Sequence, residues 1–314
     1  MKKPSPAPEP LRIRSVLVPL DGSPFAEQAL PWAIAIAQKA RARLRVALVH
    51  QLPSPPPLDE ASVRLYARVE LMLRKSQREY LHGVAARIKG EQSIQVATAM
   101  LEGPPARALR DYVRDVGVDL VVMTTHGRGG IQRAWLGSVA DQLVRSLEIP
   151  LLLIRPTEGA VAAPRVQEIL VPLDGSRRAE AALPVAVSLA SLLGARLALV
   201  QAVLPLVIVT DPPGPFPRGF DEELMALRRR EAQDYVDGIA EQVNRLGVSA
   251  SGAAVLGGSA FDAIEAAAHA PATGMVALAT HGRGGLRRLV LGSVADKLVR
   301  AGELPVLVTR PRGR

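Results

Sequence analysis

Short apolar runs alternate with longer amphipathic stretches along the chain, and the whole alternation occurs twice. The runs are rich in Val, Ile and Leu with little polar interruption, which is typical of parallel strands buried on both faces. In the first half they are Ser15–Leu20, Leu44–Val49, Ile94–Ala99, Leu120–Met123 and Pro150–Ile154. In the second half they are Ile169–Leu173, Leu197–Val203, Ala250–Val255, Met275–Ala279 and Pro305–Thr309.

The stretches between these runs repeat apolar residues at helical spacing. In the first half they predict helices over Pro24–Lys39, Leu58–Ile88, Pro104–Arg114 and Ser138–Leu147. Ser23 is placed to cap the first of them. Pro31 and Pro184 fall inside the first helix of each half, and an internal proline kinks a helix. We therefore predict one kinked helix at each of these places.

The resulting order is β-α-β-α-β-α-β-α-β in each half. Strands that alternate with helices favour a parallel, doubly wound α/β sheet with right-handed crossovers. A chain of 314 residues has room for two such domains. We predict a disordered tail over residues 1–13, domains over 14–156 and 166–311, and a linker over 157–165. So short a linker is expected to keep the two domains packed together.

Three motifs occur in both halves, each where a strand should end or a helix begin. Pro19–Ser23 returns as Pro172–Ser176, Thr125–Gly130 as Thr280–Gly285, and Leu136–Asp141 as Leu291–Asp296. The repeated residues include glycines, a carboxylate and hydroxyls. In open α/β sheets ligands bind beyond the carboxyl ends of the strands, so these motifs mark a candidate binding site.

The glycines and hydroxyls fit a site for phosphate groups. Glycine lets the backbone approach an anion, and a helix N-terminus offers N–H donors together with the positive end of the helix dipole. The alternative is that the glycines only form a tight turn and the serines only cap a helix. Neither a P-loop nor a dinucleotide fingerprint is present. The candidate residues are Gly127, Arg128, Gly137, Ser138 and Val139, then Gly282, Arg283, Gly292, Ser293 and Val294.

Composition narrows the classes of function. The chain has no cysteine, which excludes disulfides, thiolate metal sites and a cysteine nucleophile, and suits a cytoplasmic protein. The net charge of +9 favours anionic partners. With only 3% aromatic residues, stacking on single-stranded nucleic acid is disfavoured. The basic residues on the predicted helix Leu58–Ile88, and Arg228–Arg230 on its counterpart, are interpreted as a solvated face. No apolar run is long enough to span a membrane.

The three motifs, together with the last strand of the first half, Pro150–Pro156, resemble the universal stress protein family over the whole chain. The resemblance implies two tandem nucleotide-binding α/β domains (adenine nucleotide alpha hydrolase-like), which bind ATP or AMP in one branch of the family and no nucleotide in the other. The binding branch resembles G-x-x-G, nine residues, then G-[S/T], and this spacing is intact in both halves. The first glycine is replaced by Thr124 in one half and by Ala279 in the other. We therefore expect the second site to be the better of the two.

Two further pairs of residues bear on chemistry. Asp21 and Asp174 match the family's carboxylate near the nucleoside and are candidates for binding ribose or, with the phosphates, Mg²⁺. Their alternative role is to accept N–H bonds within a turn. His126 and His281 are either acid–base groups or structural residues at the turn.

We expect a stress-response protein that binds adenine nucleotide and acts as a sensor or adaptor. A slow ATP hydrolase and an interaction module without nucleotide remain as alternatives, so enzyme activity is left open. In this family the last strand commonly pairs across a two-fold axis. Leu151–Ile154 and Val306–Thr309 are therefore predicted to pair within one chain as a pseudo-dimer, with a homodimer as a further option. Protein partners are not indicated.

Overall fold

The structure is a computed structural model that describes residues 7–51, 60–126, 136–157, 164–205, 218–280 and 293–311. The described residues form two compact units. One lies between residues 12 and 164, and the other runs from residue 165 onward and includes residues 7–11. We call them the first and the second domain. No helix among the described residues is long and apolar enough to cross a membrane.

The first domain contains five parallel strands and five helices within its described residues. The strands are β1 (Ser15–Leu20), β2 (Arg43–His50), β3 (Val96–Glu102), β4 (Leu120–Thr124) and β5 (Leu151–Ile154). The helices are α1 (Pro24–Glu27), α2 (Leu30–Ala40), α3 (Glu60–Glu91), α4 (Pro105–Val116) and α5 (Ser138–Ser146). The strand order is β3-β2-β1-β4-β5, so the order reverses between β1 and β4.

The second domain repeats this arrangement. Its strands are β6 (Glu168–Leu173), β7 (Arg196–Val203), β8 (Ala250–Leu256), β9 (Thr273–Ala279) and β10 (Val306–Thr309). Its helices are α6 (Leu183–Leu193), α7 (Arg218–Arg245), α8 (Ala260–Ala268) and α9 (Ser293–Ala301), preceded by a 3₁₀ helix over Ala179–Ala182. The order β8-β7-β6-β9-β10 matches that of the first domain. Two doubly wound parallel sheets are thus confirmed.

The predicted single helix over Pro24–Lys39 is wrong. The chain forms α1, leaves the helix at Gln28 and Ala29, and begins α2 at Leu30 with Pro31 in its first turn. Pro184 takes the same place in α6. Proline is tolerated there because the first N–H groups of a helix have no partner within the helix. Both prolines therefore mark a helix start rather than a kink.

The strands of the first domain differ in burial. β4 and β5 are buried throughout, as their apolar runs predicted. The edge strand β3 is only partly buried. It also begins two residues later than predicted, at Val96, since an edge strand lacks a continuous apolar run.

The long helix α3 packs over its C-terminal half only. Leu81, Val84 and Ile88 are each 2% exposed, whereas Leu65 and Met72 are 63% and 72% exposed. A helix of 32 residues is about 48 Å long, while the eight residues of β2 extend about 26 Å. The helix therefore outruns the sheet, which helical spacing alone does not reveal.

The predicted tail and linker are described only in part. Residues 1–6 of the tail and 158–163 of the linker lie outside the described residues. Pro8 and Ile13 are buried, and the Leu11 N–H donates a 3.2 Å hydrogen bond to the Pro184 carbonyl. Residues 7–13 therefore have defined contacts, and the predicted domain boundaries stay a prediction.

Candidate functional site

A cavity of about 470 Å³ lies in the first domain at the carboxyl ends of β1 and β4, where the strand order reverses. Ligands of doubly wound sheets bind at this point. The cavity brings together five of the predicted site residues from three separate segments of the chain. They are Asp21, Thr124, Gly137, Ser138 and Val139.

Asp21 is held by a tight turn at the end of β1. Its Oδ1 accepts a 2.9 Å hydrogen bond from the Ser23 N–H, and Gly22 between them adopts a φ of +83°. Only glycine takes such a φ without strain. Ser23 Oγ then accepts from the Ala26 N–H at 3.2 Å, which confirms Ser23 as the helix cap.

The second domain builds the same turn. Asp174 Oδ1 accepts from the Ser176 N–H at 2.9 Å, and Gly175 has a φ of +75°. Ser176 Oγ accepts from the Ala179 N–H at 3.1 Å. The alternative role predicted for both aspartates, as acceptors within a turn, is therefore real for one oxygen of each carboxylate. It is compatible with a ligand role because a carboxylate has about four acceptor sites.

Gly137 connects the loop after β4 to the N-terminus of α5. Its N–H donates to the Thr125 carbonyl at 2.7 Å, and a Cβ on Gly137 would lie 3.1 Å from that same oxygen. Gly137 is the N-cap of α5, and no side chain among the described residues caps the helix. Ser138 is the first residue within the helix, so the alternative in which it serves as the cap is wrong.

The first-turn N–H groups of α5 face the cavity region. Gly137 uses its own N–H on Thr125, but those of Ser138, Val139 and Ala140 have no acceptor within the helix. All three residues line the cavity. Together with the positive end of the helix dipole, such groups form a site that favours an anion.

Thr124 and His126 form the side of the cavity next to β4. Thr124 is 5% exposed, and its Oγ1 donates to the His126 carbonyl at 2.7 Å. His126 Nδ1 lies 3.0 Å from Thr125 Oγ1. Burial, and secondly the nearby positive charge of Arg155, lower the pKa of His126 below its ordinary value. The imidazole is therefore neutral at pH 7.

Several predicted site residues lie outside the described residues. These are Gly127, Arg128, Gly282, Arg283 and Gly292, with His281, and of Ser293 only the backbone is described, as the first residue of α9. In the second domain Asp174 is exposed, Ala279 is half-buried at the end of β9, and Val294 follows Ser293 in α9. The expectation that the second site is the better one stays a prediction.

The structure adds cavity residues that the sequence did not indicate. Gln77, from the middle of α3, lines the cavity, and its Oε1 lies 2.7 Å from Nδ1 of His50. The sequence shows only that Gln77 belongs to a predicted helix. Which side chains of α3 reach the site depends on how the helix packs against the sheet. Apolar side chains complete the lining: Leu20, Leu48, Val49, Leu109, Met123 and Leu136.

The sheet register identifies the residue of the second domain that corresponds to His50. Leu20 pairs with Leu48 and Leu173 with Gln201, so Gln201 corresponds to Leu48. By the same register, His50 corresponds to Val203. His50 therefore has no polar equivalent in the second domain.

A doubly wound parallel sheet with a ligand-sized cavity at its switch point defines the class of α/β binding folds. Within that class, the Universal stress protein family model matches the chain twice, over residues 12–155 and 165–310. The chain belongs to this family, in tandem two-domain form.

Relatives of the same kind span the chain. A universal stress protein of Mycobacterium tuberculosis is 28% identical in an alignment of length 322 that covers 94% of this chain and 94% of the relative. Another, from Mycobacterium bovis, is 28% identical over 226 residues, 71% of this chain and 72% of the relative. The crystal structure of a universal stress protein from Archaeoglobus fulgidus covers 95% of this chain and 98% of its own, with a TM-score of 0.67 and 17% identity. That likeness shows a shared fold.

Proposed function

We propose that the first domain binds an adenine nucleotide, ATP or AMP, in the cavity at the switch point. The observation that carries the proposal is the position of the α5 N-terminus, whose first three residues line the same cavity as Asp21. A binding site for phosphate groups and a carboxylate therefore lie at the same cavity, which has the size of a nucleotide site. The role that follows is a nucleotide sensor or adaptor in the stress response.

The phosphates are assigned to the α5 end of the cavity. The N–H groups of Ser138 and Val139 and the Ser138 hydroxyl are the donors there, and Gly137 keeps the space above the Thr125 carbonyl open. Gly127 and Arg128, with Gly282, Arg283, Gly292, Ser293 and Val294 in the second domain, retain their predicted part by family resemblance.

The nucleoside is assigned to the β1 end. Leu48, Val49 and Met123 supply apolar contacts for a base, and the Asp21 carboxylate accepts hydrogen bonds from ribose hydroxyls. The Asp21 turn is built before any ligand arrives, since Gly22 and the Ser23 N–H hold it in place. Such preorganisation lowers the cost of binding.

Thr124, which replaces the first glycine of the family pattern, is compatible with a nucleotide in this cavity. Its hydroxyl donates to the His126 carbonyl of its own loop, so it needs no partner in the cavity, and the cavity retains about 470 Å³. We expect Thr124→Gly to improve ATP affinity modestly by enlarging the floor. For Ala279 in the second domain the same change is expected to have a smaller effect, because less volume is removed.

Mg²⁺ fits the site only as a companion of the phosphates. Among the described residues no group of three potential metal ligands occurs. One carboxylate per domain, from Asp21 or Asp174, suits Mg²⁺, which keeps several waters and takes its other ligands from phosphates. When bound, the ion would neutralise phosphate charge, and the chain's own part would be to orient it through that carboxylate.

The test is calorimetric titration of ATP and AMP, after denaturation of the purified protein and analysis of what it releases. We expect Gly137→Val to lower the affinity of the first site at least tenfold, because its side chain would occupy the approach of the phosphates. Gly83→Val, on the exposed face of α3 with open space around it, is the matched control.

Because two sites are predicted, the titrations are analysed for stoichiometry as well as affinity. Loss of one equivalent in Gly137→Val, with circular dichroism unchanged, supports the assignment. No released nucleotide and no heat up to millimolar ATP would exclude nucleotide binding. Unchanged binding in Gly137→Val would place the ligand elsewhere.

Slow ATP hydrolysis is the second candidate, and His126 is the observation that favours it. A neutral imidazole at the cavity wall is able to accept a proton from a water that attacks the terminal phosphate. Steady phosphate release that His126→Gln abolishes, while ATP affinity is kept, would support this activity. Release that the variant leaves unchanged would exclude it.

A further inference from the structure

A second cavity, of about 360 Å³, lies in the first domain at the opposite edge of the sheet, where β1 and β2 begin. Four arginines line it: Arg14, Arg41, Arg43 and Arg45. The other lining residues are neutral, with two serines and two glutamines among them and no carboxylate. We call this space the arginine cavity.

Within the described ranges of the chain, none of the four guanidinium groups takes part in an ion pair, although several other arginines do. Arg43 donates to Gln95 Oε1 from Nε at 3.4 Å and from Nη2 at 3.3 Å. Asp119 Oδ2 accepts from the backbone N–H groups of Arg14 and Ser15.

Arg45 is the most constrained of the four. It is half-buried in the strand β2, where it donates to Ser15 Oγ at 2.9 Å and approaches Tyr112 Oη at 3.5 Å. Both partners are neutral, so they satisfy hydrogen-bonding capacity without neutralising the charge. A partly buried charge without a counter-ion is costly, and an oxyanion in the adjacent cavity would remove that cost.

Arg41 adds an independent observation. It ends α2 with a φ of +52°, and it is the one non-glycine residue with positive φ in the described part of the chain. The equivalent residue at the end of α6 is Gly194, with a φ of +72°. The first domain thus keeps an arginine where the backbone favours glycine.

The second domain shows that the fold does not require these charges. Arg14, Arg41 and Arg45 correspond to Gln167, Gly194 and Ala198, as the sheet register and the helix ends establish. Arg43 corresponds to Arg196, but there Glu168 replaces Ser15 and pairs with Arg196 at 2.7 Å. The same positions carry four positive charges in one domain and no net charge in the other.

We propose that the arginine cavity binds a small, multiply charged phosphate compound, separately from the nucleotide site. Arginine pairs with phosphate oxygens through two parallel hydrogen bonds, and several such groups converge here. No aromatic ring lines the cavity, so the phosphates rather than a base are what it recognises. A space of about 360 Å³ suits an oligophosphate or a phosphate ester better than a duplex.

The test replaces three arginines of the cavity by the residues at the equivalent positions of the second domain. The triple variant Arg14→Gln/Arg41→Gly/Arg45→Ala is titrated with inorganic tripolyphosphate, beside the wild type. The control Arg64→Gln/Arg68→Gln/Arg78→Gln removes the same charge from exposed positions of α3. We expect at least a tenfold loss of affinity in the converted variant and little change in the control.

Two further measurements separate this site from the nucleotide site. Tripolyphosphate binding is expected to survive Gly137→Val, and the converted variant is expected to keep the wild-type affinity for ATP. The first result can hold even if no nucleotide binds, so failure of the nucleotide proposal would leave the arginine cavity testable on its own. Arg41→Gly alone, which relieves the positive φ, serves if the triple variant does not fold.

Several outcomes would overturn the proposal. Equal losses in the converted variant and the α3 control would mean general electrostatic attraction. Binding lost in Gly137→Val would assign the anion to the nucleotide site. Tighter binding of citrate, or of duplex DNA, with the same dependence on the three arginines would replace the phosphate compound with a polycarboxylate or a nucleic acid.

Discussion

Tyr235 on α7 donates a 2.9 Å hydrogen bond to Oε1 of Glu180, a buried carboxylate in the short 3₁₀ helix of the second domain. The first domain has the same pair, since Tyr80 on α3 donates to Glu27 Oε1 at 2.9 Å. Arg87 also contacts Glu27, whereas the corresponding residue of α7 is Gln242. The bond between long helix and site-forming turn is thus repeated, but only the first carboxylate is neutralised.

Tyr235→Phe is expected to destabilise the protein more than Tyr80→Phe. Glu180 Oε2 already lacks a hydrogen-bond partner among the described residues, so the substitution leaves the buried carboxylate without one. We expect a loss of about 2–3 kcal/mol, against about 1 kcal/mol for Tyr80→Phe, where Arg87 remains. Urea unfolding of the two variants measures this difference. Equal losses would show that Arg87 does not stabilise Glu27.

The same two tyrosines predict a loss of stability in alkali. Burial, and then the hydrogen bond to the neighbouring glutamate, raise the pKa of Tyr80 and of Tyr235 above the ordinary value of 10.0. At a pH between the pKa in the unfolded chain and the pKa in the folded protein, the native state binds more protons than the unfolded state. The contribution of these tyrosines to stability is therefore fully present below pH 10 and is lost as the pH rises further. Denaturant unfolding at rising pH should show a shallower decline in Tyr80→Phe/Tyr235→Phe. An unaltered slope would contradict the assignment.

His126 predicts the opposite behaviour in acid. Its pKa is lowered in the folded protein, chiefly by burial, so the unfolded chain binds a proton first as the pH falls. Stability should therefore decrease as the pH is lowered below 6.5, and His126→Gln should reduce that decrease. Thermal unfolding at a series of pH values tests this, with His269→Gln, on an exposed helix end, as the control. A decrease that only the control reduces would refute the prediction.

Gly252 should not tolerate a side chain. It lies in β8 under α7, and a Cβ there would approach the backbone carbon of Val236 to 2.8 Å. Because backbone has to shift, we expect Gly252→Ala to cost about 1–3 kcal/mol. Gly83→Ala on α3 meets nothing within 4 Å and should instead stabilise by about 0.5–1 kcal/mol. Chemical denaturation of both variants measures the two effects, and unchanged stability in Gly252→Ala would contradict the prediction.

The elements that the sequence predicted are those set by local pattern. Buried strands such as β4 and β5 produce continuous apolar runs, and the Asp21 turn follows from Gly22 and Ser23. Their positions did not depend on distant neighbours. The strand ends then brought Asp21 and Ser138 into one cavity because parallel strands share a carboxyl edge.

What the sequence missed depends on tertiary packing. Gln77 reaches the cavity only because α3 lies over β2. Leu65 is exposed because α3 is longer than the sheet. Arg45 could not be singled out from the sequence, because it is its position in β2 that half-buries its charge. The arginine cavity combines the start of one strand with the end of a helix, so no single segment of sequence displays it.

The charge of that cavity also has a consequence for rates. Because no carboxylate lines the space around Arg14, Arg41 and Arg45, its positive potential extends into solvent and draws anions from beyond contact distance. Such attraction speeds encounter and is screened within about 10 Å at 0.1 M salt. A rise in ionic strength would then lower the association rate of an anion far more than it raises the dissociation rate. The first domain would therefore respond to anions fastest in dilute salt.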